Sequence, residues 1–152
     1  MNKLSNIFSN DYLLLCIRLV IGLLLLFTGL EKIKDIPGFA ESILNYRMLP
    51  QITINIFAIS LAWIELFTGI LILIGINTKE SSIIVFTMVV IFTLGVFIAL
   101  LRGLNIDCGC FGTVLAQKVG IMKILENLIA LSLIWILIVN GAGRYVLNYK
   151  FN

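Results

Sequence analysis

Four apolar runs separated by short polar connections constrain this chain more than any single residue does. They cover about residues 12–30, 52–76, 82–101 and 119–139. A bilayer core about 30 Å thick needs roughly 20 mostly apolar residues per helix, so each run is long enough to span. Barrel strands would be about ten residues long with alternating polarity, whereas these runs are apolar on all sides. Of the 152 residues 61% are hydrophobic and 12% charged, against about a quarter charged in a soluble domain. The expected fold is all-α: an integral membrane four-helix bundle forming one domain over residues 1–152, with both termini on the same side.

The first run carries Arg18 and ends in Glu31-Lys32 without a small-residue cleavage site, so it reads as a retained span rather than a cleaved signal. The connection "NTKE" is tight and makes spans two and three antiparallel neighbours. The connection "KIKDIPGFAESILNYRMLP" is longer. Within it Asp35 can cap a short helix that Pro37 helps to start. Phe39, Ile43, Leu44 and Tyr46 then recur near helical spacing while Glu41 and Arg47 can face water, which predicts a short amphipathic interfacial helix ended by Pro50.

The third connection holds "RGLNIDCGCFGTV", residues 102–114, with two of the chain's three cysteines one residue apart. Cα atoms two residues apart lie roughly 5.5 to 7 Å from each other, overlapping the range a disulfide accepts. Cys108 and Cys110 can therefore bridge across Gly109, whose missing side chain allows the turn, with Gly112 doing the same after Phe111. A staple enclosing so little chain stabilises little, which favours redox chemistry over structure. Arg102 and Lys118 would favour a thiolate and Asp107 would oppose it. Paired thiolates also ligate zinc or cuprous ions, but the chain has no histidine and Cys16 lies near the opposite membrane face, so one chain lacks a four-ligand soft site. Cys16 itself reads as a small hydrophobe.

Ionisable groups inside the membrane are functional hypotheses by default. Arg18 lies roughly 9 Å inside span one and Glu65 roughly 15 Å from the far end of span two, which suggests an ion pair fixing helix register, or a proton or quinone-headgroup site. Glu126, about 10 Å down span four beside Asn127, can relay protons to a thiolate or make an interhelical hydrogen bond. Gly22, Gly29, Gly69 and Gly95 are expected to permit close helix packing.

The elements "RGLNIDCGCFG", "EKIKDIPGFAESILNYRMLP" and "IELFTGILILIG", with Arg18 and Gly22, resemble the methylamine-utilisation MauE family within the DoxX-like group of four-span membrane proteins, over roughly residues 18–127. The resemblance implies a protein associated with redox maturation of exported proteins, often beside a thioredoxin-like partner. The family pattern has arginine before asparagine near the start of the last span, where this chain has Glu126-Asn127.

The resulting expectation is a membrane thiol-disulfide redox protein of the bacterial inner membrane, exchanging electrons between Cys108/Cys110 and a thioredoxin-fold or exported partner, with quinone as a candidate acceptor. The cysteine loop is placed on the outer face because disulfides persist there. The positive-inside count, Lys3, Lys79, Arg144 and Lys150 against Lys32, Lys34, Arg47, Arg102 and Lys118, does not set the orientation. Two alternatives stay open: a non-enzymatic assembly factor whose disulfide shapes a docking loop, and a metal or small-molecule transporter. Homo-oligomerisation is also open.

Overall fold

The computed structural model describes residues 11–104, 106–109, 120–141 and 143. Among them the chain forms helices α1 (Asp11–Lys34), α2 (Ile36–Asn45), α3 (Gln51–Ile74), α4 (Thr78–Leu101) and α5 (Ile121–Asn140). All but α2 are long and apolar enough to cross a membrane. Helices suit that setting because every interior backbone group is satisfied within its own segment. The all-helical four-span architecture with a short amphipathic helix between the first two spans is the one expected from sequence.

The ends shift for identifiable reasons. α1 runs on past Leu30 through the charged residues to Lys34, because Lys32 is buried against a partner instead of marking the water boundary. α3 stops at Gly75, which takes φ +86 and donates its N–H to the Leu71 carbonyl at 2.9 Å. Most of the "NTKE" stretch belongs to α4, whose N-cap Asn77 is left-handed at φ +45. Pro50 does not end the short helix. That helix ends at Tyr46, and Pro50 caps α3 instead, with φ −62 and ψ 139.

α1 packs most extensively on α3, and α4 on α5, while α3–α4 and α1–α5 contacts close the bundle. The α1–α3 contact is backbone to backbone at the glycines. A Cβ on Gly69 would stand 3.0 Å from Leu25 Cβ and 3.1 Å from the Leu26 nitrogen; one on Gly29 would stand 3.0 Å from the Leu66 nitrogen. Gly22 faces the Gly69 carbonyl from the other side. Such small-residue contacts let helices approach where lipid gives no hydrophobic drive for association. Gly95 does not belong with them, since a Cβ there meets only the Tyr46 ring at 3.9 Å.

The central core joins Leu14, Ile17, Ile21 and Leu25 of α1 to Ile72, Val85, Ile134 and Leu137 of the other spans. Outward positions such as Val20, Phe27, Ile91 and Trp135 are apolar too, as a lipid-facing surface requires.

Gly69→Val should force α1 and α3 apart at a cost of about 1–3 kcal/mol, seen as a lower unfolding temperature in detergent. Gly95→Ala should stay within about 0.5 kcal/mol of wild type. Equal tolerance of both changes would mean that α1 and α3 do not meet at these glycines.

Candidate functional site

The candidate site is assembled around α2. Asp35 ends the α1 turn and caps α2 by accepting the Gly38 N–H at 3.0 Å, with Pro37 in the first turn. One face of α2 buries Phe39 and Ala40 against Ile54 and Ala58 of α3, while Glu41 and Arg47 are exposed. At its C-terminal end Tyr46 joins Val96, Ala99 and Cys108 in a buried cluster and meets Phe92 edge-on at 6.2 Å.

The cysteine motif is seated on this helix. Cys108 is 1% exposed, and the Tyr46 hydroxyl donates to its carbonyl at 2.9 Å. Gly109 takes φ +69, and a Cβ there would stand 2.9 Å from Ser42 Cβ and 3.7 Å from Phe39 Cδ2. The glycine between the cysteines is thus required by backbone conformation and by space together. Arg102, at the end of α4, donates to the Tyr46 carbonyl at 3.4 Å, so its contact is with the element holding Cys108. Asp107 is exposed. Cys110, Phe111, Gly112 and Lys118 lie outside the described residues, as do Lys3, Arg144 and Lys150.

The expected Arg18–Glu65 pair does not form. Glu65 is buried and pairs with Lys32, also buried, and accepts a second hydrogen bond from Thr28. Arg18 lies instead beside Gly75, its Nη1 2.7 Å from where a Cβ would be. The reason is register: with Gly22 opposite Gly69 and Gly29 opposite Leu66, the level of Glu65 on α1 is that of Thr28 and Lys32. Depth counted from the span ends misjudged this because α1 begins well beyond the end of α3.

Above the pair, the Lys32 ammonium lies 5.1 Å from the centroid of the Phe39 ring, a cation–π distance. One aromatic side chain, Phe39, therefore stands between this intramembrane ion pair and Gly109. Sequence reasoning read Lys32 as a boundary charge and Phe39 as one residue of an interfacial face. The signal that could have marked them was Lys32 following Thr28 at i+4, both on the α1 face that carries Leu25 and Gly29.

On α5, Glu126 is exposed and pairs with Lys123 one turn earlier at 2.6 Å, the Lys123 side chain itself being 4% exposed. Lys123 thus supplies a buried positive charge one turn from Glu126-Asn127. Asn127 makes the interhelical bond, donating to Thr93 Oγ1 at 3.1 Å. Cys16 is a free thiol exposed on the outside of α1.

A family model described as "Methylamine utilisation protein MauE" matches residues 10–140. Two relatives bear the name methylamine utilization protein MauE. The one from Paracoccus denitrificans is 26% identical over 118 residues, covering 77% of this chain and 63% of its own length. The one from Methylorubrum extorquens is 27% identical over 141 residues, covering 89% and 76%. The chain thus spans less than two thirds of the Paracoccus protein. No solved structure matches it at a significant level.

Tyr46→Phe should leave the Cys108 carbonyl without its donor and cost about 1–3 kcal/mol, read as a fall in unfolding temperature. Burial pushes the Tyr46 phenol up to about 12. The unfolded chain then loses this proton first, so stability is intact below the ordinary phenol value of about 10 and falls as pH rises through the folded value. The variant should lack that part of the alkaline decline.

Proposed function

The chain belongs to the MauE family, and on that premise we propose that it is a membrane thiol-disulfide redox protein whose Cys108/Cys110 pair exchanges electrons with an exported or thioredoxin-fold partner. The observation that carries the reading is the seat of the motif: Cys108 held through its own carbonyl by Tyr46, and Gly109 pressed on Ser42. A three-residue ring adds little stability, so fastening one cysteine by its backbone is better explained by chemistry than by stapling. The loop is placed on the oxidising side of a bacterial inner membrane, where a disulfide persists.

The burial of Cys108 supports Cys110 as the sulfur that a partner attacks. In this reading a partner thiolate attacks Cys110 Sγ, the Cys108–Cys110 bond breaks, and Cys108 leaves as the thiolate. The partner's second thiol then attacks the mixed disulfide, giving an oxidised partner and a reduced Cys108/Cys110 pair, with two electrons and two protons transferred. A membrane quinone is the proposed acceptor that restores the disulfide. The partner class follows the relatives' name only this far: proteins matured for methylamine utilisation are the first to test.

The same burial favours a second reading, a disulfide that shapes a docking loop for a non-enzymatic assembly factor, because a covered sulfur exchanges slowly. Single substitutions separate the two. Cys108→Ser leaves Cys110 as a lone thiol that attacks the disulfide of the oxidised partner, displacing the partner's second sulfur as a thiolate, and with no Cys108 to release it should accumulate a mixed disulfide on non-reducing gels; Cys110→Ser should not. Partner maturation should be lost in both. Full maturation with an accumulating Cys108→Ser protein would hand the function to the docking-loop reading. In the wild type, thiol alkylation over graded glutathione potentials should show one two-electron couple lying above the roughly −300 mV of structural disulfides.

A further inference from the structure

The Lys32–Glu65 pair is costly to hold inside a membrane, and a buried ion pair is often no more stabilising than apolar residues of the same volume. Its obvious structural use, fixing the register of α1 against α3, is already served by the glycine contacts at Gly22, Gly29 and Gly69. Its position points elsewhere. Lys32 and Glu65 are 5% and 8% exposed, and Thr28 completes the carboxylate's hydrogen bonding. Lys32 also lies against the ring of Phe39, whose Cδ2 reaches toward Gly109 between the two cysteines.

We propose that Lys32 is a positioning residue for the redox chemistry: its ammonium, held one aromatic ring from Gly109 beside Cys108, is the counter-charge for the Cys108 thiolate formed when the disulfide opens, and Glu65 moderates that charge. The inference rests on the thiol-disulfide reading and adds to it the group that sets thiolate reactivity. A cation in apolar surroundings favours a nearby thiolate, and a carboxylate paired with it opposes the effect. Among the described residues, the other charged or titratable groups near the motif are Tyr46 from α2, Arg102 at the end of α4 and Asp107 within the loop, with Lys123 and Glu126 on α5. All of them are left in place by the test.

The test is the pH dependence of alkylation of the fully reduced protein in membranes, with Cys16→Ala as background so that only the motif's thiols report. Lys32→Met should move the half-rate point up by about one pH unit, about a tenfold loss of rate at neutral pH. Glu65→Gln should move it down, and Lys32→Arg should restore most of the wild-type profile. Opposite signs for the two partners are the diagnostic, because a clamp that only holds α1 to α3 would give shifts of one sign or none. Unmoved profiles in Lys32→Met and Glu65→Gln overturn the proposal.

Should the single variants not accumulate, the neutral double variant Lys32→Met/Glu65→Gln decides. An upward-moved half-rate point supports the proposal and an unmoved one overturns it. A wild-type protein with no Cys108/Cys110 disulfide would instead remove the redox reading itself, so the two failures are distinguishable.

Discussion

The backbone contact between α1 and α3 is the constraint on which the rest of the molecule hangs. In lipid, helices gain nothing from hiding apolar surface, and close approach at small residues takes over. Gly22 against Gly69 and Gly29 against Leu66 admit essentially one register. That register brings Thr28 and Lys32 to Glu65 and sends Arg18 to Gly75. It also leaves the first turns of α3 beyond the reach of α1, and α2 covers them with Phe39 and Ala40 packed on Ile54 and Ala58.

α2 is consequently more than an amphipathic connector. Its apolar side closes the end of the bundle, and the residues that flank that side, Ser42 and Tyr46, carry the cysteine motif. Tyr46 has three attachments at once: an edge-on ring contact to Phe92, a hydroxyl bond to the Cys108 carbonyl, and a carbonyl that accepts from Arg102. The segment Cys108–Gly109 is thereby fixed against α2 and α4 together, and the ion pair beneath Phe39 belongs to the same packed unit.

Much of the fold was legible because it follows from length and apolarity alone: four spans, and a helix capped by Asp35 with Pro37 in its first turn. The cysteine motif was legible as a local pattern, and so was the need for glycine at position 109. What sequence could not supply was register. Period and depth fix a residue's height in its own helix, but the offset between two helices is set by which small residues meet, and that is why Arg18 was matched to Glu65 in place of Lys32. Pro50 was misassigned for a related reason: an X-Pro step disfavours helix before it equally well whether it ends one helix or begins the next.

Lys32 illustrates how such an error propagates. A lysine two residues past the last apolar position of a span reads as snorkelling toward water, and counting it as a boundary charge both shortens α1 and removes a cation from the membrane interior. Once the glycine register is known, the same lysine becomes the partner of Glu65 and the neighbour of Phe39. On the exchange reading this matters more than the helix end. The cysteine that is fixed in place, Cys108, is also the one that must leave as a thiolate, and a buried leaving group with no water to stabilise it needs a charge supplied by the protein. On that reading the cation held on α1, one ring from Gly109, is placed to supply it.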